Sequence, residues 1–114
     1  PTTIELELAQ LIIEFIPCAE MVRFAKNGSD TTSAAVRLAR AYTGKNIIAV
    51  SGYHGWHDWY ISCNLENSSN LNQHLLKGIK PGGVPDILTG YTIPITYNDF
   101  DQLEILNDPD ITIN

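Results

Sequence analysis

Apolar residues recur at spacings of three and four from Ile4 through Leu8, Leu11 and Ile12 to Phe15. That period predicts an amphipathic helix with these five side chains on one face, and Pro17, which cannot continue a helix, follows its end. Met21 to Ala25 is a short apolar run that reads as a strand. Lys26-Asn27-Gly28-Ser29-Asp30 breaks the pattern, and a second helix is expected from Ser29 or Asp30 to Thr43. Either residue is a suitable N-cap, because a side-chain oxygen there accepts from an orphan N–H. Ala34, Ala35, Leu38, Ala39 and Ala41 lose little entropy in a helix, and Gly44 stands where a left-handed stop is expected. The run Ile47-Ile48-Ala49-Val50 suits a strand covered on both faces. Met21 to Val50 then reads as a strand–helix–strand unit whose strands are parallel and joined by a right-handed crossover.

The pattern is weaker beyond Val50. Ser51 to Tyr60 mixes Gly, His and aromatic residues, Asn64 to Asn72 is rich in Asn and Ser, and Lys80 to Val84 carries Pro and paired Gly. Residues 64–98 therefore read as loop-rich, with one weak helical turn near His74 to Leu76. Tyr91 to Tyr97 could form a short strand that Pro94 confines to an edge. Asp99 to Leu106 suits a short helix capped by Asn98 or Asp99, and an alternating pattern starts at Asp110 and runs to Ile113.

Composition adjusts this picture in two ways. Of the 114 residues, 44% are hydrophobic, as in a globular segment, and the formal net charge is −6. An acidic chain is poorly suited to nucleic acid or anionic membranes, which need a basic face. No run approaches the length needed to span a bilayer, and no signal peptide pattern is present. Cys18 and Cys63 form neither a redox nor a metal-knuckle spacing. They read as free thiols of a reducing cytoplasm.

Two loops carry the candidate chemistry. Asn27-Gly28-Ser29-Asp30 opens a helix. A glycine lets backbone approach a ligand, the helix N-terminus offers free N–H groups, and the Ser29 hydroxyl adds a donor: together, a small phosphate cradle. Gly52-Tyr53-His54-Gly55 follows the strand at Ile47–Val50, and ligands of open α/β sheets sit outside the carboxyl ends of strands. An aromatic side chain there can stack on a flat heterocycle. Each loop also has a plain structural reading, a helix-capping turn for the first and a packed tyrosine for the second. Other motifs fall short. Gly44-Lys45 lacks the upstream glycine of a nucleotide loop. His54, His57, Asp58 and His74 do not make a defined metal site. Ser51, His54 and Asp58 form a triad in composition only. Arg37 and Arg40 read as structural charges, and Trp56 and Trp59 as core or subunit-interface residues.

The order and spacing of these features are specific. Glu20 to Ile61, with its Gly-Ser-acid loop, its helix reading AVRLARAYTG and its aromatic-His-Gly loop, resembles class III pyridoxal-phosphate aminotransferases, nearest the branch that includes glutamate-1-semialdehyde aminomutases. Residues 20–61 match best. The resemblance implies an α/β fold, a partial three-layer sandwich from the large domain of a fold-type I transferase with a mostly parallel sheet. It also implies pyridoxal 5'-phosphate as cofactor, amino-group transfer from a small-molecule donor, and a homodimeric parent. By resemblance Gly28 and Ser29 bind the cofactor phosphate, Tyr53 stacks on the pyridine ring and His54 lines the pocket. Asp30 is assigned to the same site, where the family more often has the longer Glu. The resemblance further implies a Schiff-base Lys, an Asp facing the pyridine nitrogen and a Thr from the partner subunit, all later in the family's chain. None of Lys26, Lys45, Lys77 and Lys80 has the context of that Lys. The expectation is therefore a segment, 1–114, of the cofactor-binding domain that supplies cradle and wall but no catalytic residue. Such a segment would have an incomplete core, leaving it marginally stable or self-associating. The alternative is a noncatalytic α/β module that binds a phosphorylated small molecule.

Overall fold

The computed structural model describes residues 2–107, 109 and 111–113. Helix α1 spans Thr3–Phe15 and begins with a capping box: Thr2 N–H donates to Glu5 at 2.7 Å, and Glu5 N–H donates to the Thr2 hydroxyl at 3.3 Å. The helix matches the periodic pattern, but none of its residues is buried. Its apolar stripe is in the open, with Ile4 76% and Phe15 75% exposed.

Helix α2 spans Gly28–Thr43. Its N-cap is Asn27, not Ser29 or Asp30, and the Asn27 side-chain oxygen accepts from Asp30 N–H at 2.9 Å. Asn27 wins because it sits three positions before Asp30, the spacing an N-cap side chain spans. Gly44 ends α2 in the left-handed conformation, with its N–H donated to Arg40 O, as its position predicts.

Strand β1, Ile47–Val50, is central in a three-stranded parallel sheet. On one side lies β2, Thr92–Pro94, with Ile48 opposite Thr92 and Val50 opposite Pro94. On the other lies β3, Ile111–Ile113, with Ile47 opposite Ile111. Pro94 is on an outer strand, where its missing N–H costs nothing. The alternating run that starts at Asp110 thus yields a strand, although Asp110 itself lies outside the described residues. Met21 to Ala25 forms no strand, so the strand–helix–strand unit is not built as the sequence suggests. Both sides of β1 are taken by β2 and β3, and Met21 is 89% exposed. The parallel neighbours of β1 come later in the chain.

The connection from β1 to β2 holds α3, Asp58–Ile61, and 3-10 turns at Ser62–Asn64, Asn70–Gln73 and Asp86–Leu88. The turn expected at His74 to Leu76 lies slightly earlier, and His74 caps it. After β2, Asp101–Asn107 is a 3-10 helix, not an α-helix, and the Asp99 carboxylate accepts from Asp101 and Gln102 N–H. Val36, Ile48, Val50, Tyr60, Ile61, Cys63 and Leu71 form the core. Both cysteines are free, Cys18 exposed and Cys63 buried. Burial pushes the Cys63 thiol up to about 12. Among the described residues no helix is long and apolar enough to cross a membrane.

Candidate functional site

The carboxyl end of β1 and the amino end of α2 bring the two loops together. The first turn of a helix leaves N–H groups without helical partners. Asn27 takes that of Asp30, and Ser29 faces the second loop. Ser29 Oγ accepts from the N–H of Trp56 at 3.3 Å. Thr32 Oγ1 donates to the carbonyl of His54 at 2.7 Å, and Trp59 Nε1 donates to Ser33 Oγ at 3.0 Å. Three polar bonds therefore join one face of α2 to residues 54–59. Gly55 lies so close to Ser29 that a Cβ there would collide with Oγ and stand 2.9 Å from the Ser29 Cβ. Gly55 has φ +107°, which side-chain-bearing residues rarely adopt. Gly28, by contrast, faces open space: nothing lies within 4 Å of a Cβ built there.

Asp30 is engaged locally. Its carboxylate accepts from Asn27 Nδ2 at 2.8 Å and lies 3.5 Å from His57 Nε2. These partners turn a negative charge that would oppose a bound phosphate toward Asn27 and His57. A groove of about 820 Å³ runs beside Ser29, lined among others by Ser33, Arg37, Trp56 and Trp59. His54 borders a smaller cavity of about 400 Å³ with Thr32, Val50 and Trp59, and its Nε2 lies 2.9 Å from Ser51 O. Tyr53 lines neither cavity. It is 38% exposed and packs edge-on against Tyr60, ring centroids 5.8 Å apart. Among the described residues no group of three or more His, Cys, Asp or Glu is placed to hold a metal ion.

No family model matches the chain. Individual proteins do. The glutamate-1-semialdehyde 2,1-aminomutase of Desulfotalea psychrophila is 42% identical over 99% of this chain and 26% of its own length. The 3-aminobutyryl-CoA aminotransferase of Cloacimonas acidaminovorans is 39% identical over 87% of this chain and 20% of its own length. An omega-transaminase from Sphaerobacter thermophilus matches the whole chain in structure, with a TM-score of 0.73 and 28% identity, over 28% of its own chain. The chain is similar to one part of the class III pyridoxal-phosphate aminotransferases. It spans about a quarter of the length of the curated relatives it matches. Its α/β fold with a parallel sheet is that of the fold-type I transferase.

Within this segment, sequence reasoning found the two loops but not the residues that clamp them. Thr32, Ser33 and Trp59 bond across α2, and His57 faces Asp30. The helical spacing of Ser29, Thr32 and Ser33 was the available signal, since it puts three hydroxyls on one face of α2. Tyr60 was also missed, for its partner His74 is 14 positions away.

Proposed function

We propose that this chain forms the phosphate cradle and ring wall of a pyridoxal-phosphate site in an enzyme that moves amino groups, between two molecules or within one. The observation that carries the reading is the Ser29 contact with Gly55 and Trp56. It makes one body of a helix N-terminus and an aromatic loop at the carboxyl end of a strand. The residues fit the cofactor. Gly28 leaves its side of the helix terminus open, and N–H groups and the partial positive charge of α2 suit a phosphate. Gly28 and Ser29 would hold the phosphate, with Tyr53 against the ring and His54 beside it; Asp30 would keep the cradle in shape through Asn27 and His57. The cofactor, when bound, supplies an electrophilic carbon and an electron sink for amino-group chemistry. The four lysines of this chain serve neither, so this segment binds and orients while the reacting groups come from elsewhere. The relatives' names include both aminomutase and aminotransferase, and the reading covers both. A homodimeric, cytoplasmic parent with small-molecule substrates completes it, supported by the two free thiols and by the resemblance.

The test uses pyridoxamine 5'-phosphate, which needs no Schiff-base lysine, titrated into the chain and followed by tryptophan fluorescence and calorimetry. Saturable binding should weaken in Ser29→Ala. In Tyr53→Ala it should weaken by about 1 kcal/mol, the scale of an aromatic pair. Unchanged affinity in both variants would sink the reading.

A further inference from the structure

We propose that the Tyr60 hydroxyl, with His74 as its acceptor, is the positioning group that sets the loop carrying Tyr53 and His54. Its bearing on the cofactor rests on the function proposed above. Tyr60 is fully buried. Its ring meets Tyr53 at 5.8 Å and 87°, His54 at 6.0 Å and 70°, and Trp59 at 5.8 Å and 67°. The aromatic side chains of the loop and of α3 thus lean on one ring. A phenylalanine could fill that volume, so the hydroxyl needs its own account, since a buried O–H without a partner is costly.

The hydroxyl lies 2.8 Å from His74 Nδ1 and 3.2 Å from the carbonyl of Gly52. The other nitrogen, His74 Nε2, is 3.3 Å from the carbonyl of Ile95. A carbonyl only accepts, so Nε2 carries the proton. Burial lowers the His74 pKa; the bond to the Ile95 carbonyl opposes this, and His54 adds a smaller lowering effect. The neutral ring leaves Nδ1 as an acceptor, and the one Tyr60 proton is shared between it and the Gly52 carbonyl, the nearer partner being Nδ1. Ile95 in turn donates its N–H to Val50 O at 2.8 Å. The circuit is closed. Val50, at the end of β1, is held through Ile95, and Gly52, two residues later, stands against Tyr60. The bend from which Tyr53 and His54 project is fixed on both sides by one chain of polar groups. This arrangement makes the direction of Tyr53 a property of a hydroxyl that the cofactor need not touch.

The experiment is amide hydrogen exchange on the full chain without cofactor. Tyr60→Phe keeps the ring and removes the bond. Amides of residues 51–55 should exchange about tenfold faster, the scale of one buried hydrogen bond, while those in the middle of α2 keep their rates. The His74 Nδ1 nitrogen shift should move as its donor is lost. A second pair guards against poor folding of the first. His74→Gln can still accept from Tyr60 and donate to Ile95, and should restore most of the protection that His74→Leu removes. Unchanged exchange at residues 51–55 in Tyr60→Phe, or equal behaviour of the Gln and Leu variants, would overturn the proposal. Pyridoxamine 5'-phosphate titration of the unaltered chain is a separate arm. No binding there removes the cofactor reading, while the exchange result still decides the role of Tyr60.

Discussion

Gly55 is the residue whose identity the geometry dictates most directly. Its positive φ strains any residue with a side chain, and a Cβ would run into Ser29. Gly55→Ala is expected to destabilise the chain by about 1–3 kcal/mol, the cost of such a strained backbone position, and to weaken binding of pyridoxamine phosphate. Gly28→Ala has room for its methyl, so its stability should stay within about 1 kcal/mol of the original, the scale of a glycine-to-alanine change. Urea midpoints of the two variants check this, and equal losses would contradict it. The sequence made Gly28 and Gly55 legible as loop glycines. It did not separate the open one from the crowded one, because that difference depends on Ser29, which only the fold brings near. Asn27 shows the same limit in reverse: Asn27, Ser29 and Asp30 can each cap a helix, and the geometry of the turn selects the first.

At the scale of elements, α1, α2, β1 and β2 were readable because each has a local cause: a 3.6-residue period, a capped alanine-rich run, an unbroken apolar run, and a proline confined to an edge. Met21 to Ala25 was misread for a non-local reason. A strand needs a partner, and β1 had none to offer once β2 and β3 were in place. The link between α3 and the turn ending at His74 was likewise invisible, since it depends on Tyr60 meeting a residue 14 positions away. That link has a pH signature. The folded pKa of His74 is lowered, chiefly by burial, from the ordinary 6.5. The unfolded chain then takes up a proton before the folded one does. The contribution is intact above 6.5 and is lost as the pH falls from there through the lowered folded value. Urea midpoints measured between pH 8 and pH 5 should therefore fall on the acid side. The fall should be smaller in His74→Gln; an identical profile would dissociate His74 from the effect.

For the whole molecule, the radius of gyration is 16.0 Å, against about 13 Å for a compact chain of this length. The excess goes with α1, which carries an apolar stripe and has no fully buried residue. A helix of 13 residues is marginal in water without packing, so the stripe is expected to draw copies of the chain together. Leu8→Lys with Phe15→Lys should abolish concentration-dependent association in sedimentation while leaving the thermal midpoint of the β1 core in place. Persistent association in that variant would point to the sheet edges instead. Periodicity marked this stripe as apolar, but a pattern along the chain does not say what, if anything, lies over it.

The Ser29–Trp56 bond joins positions 27 apart, and Gly55 is pressed against the same serine. This closeness has a consequence for heredity. A lineage that loses Gly55 to alanine can recover part of the fit by exchanging Ser29 for glycine, which withdraws the Oγ and Cβ from the clash. A suppressor selection begun from Gly55→Ala should therefore be enriched in changes at codon 29, and the two loops should drift as one unit of inheritance.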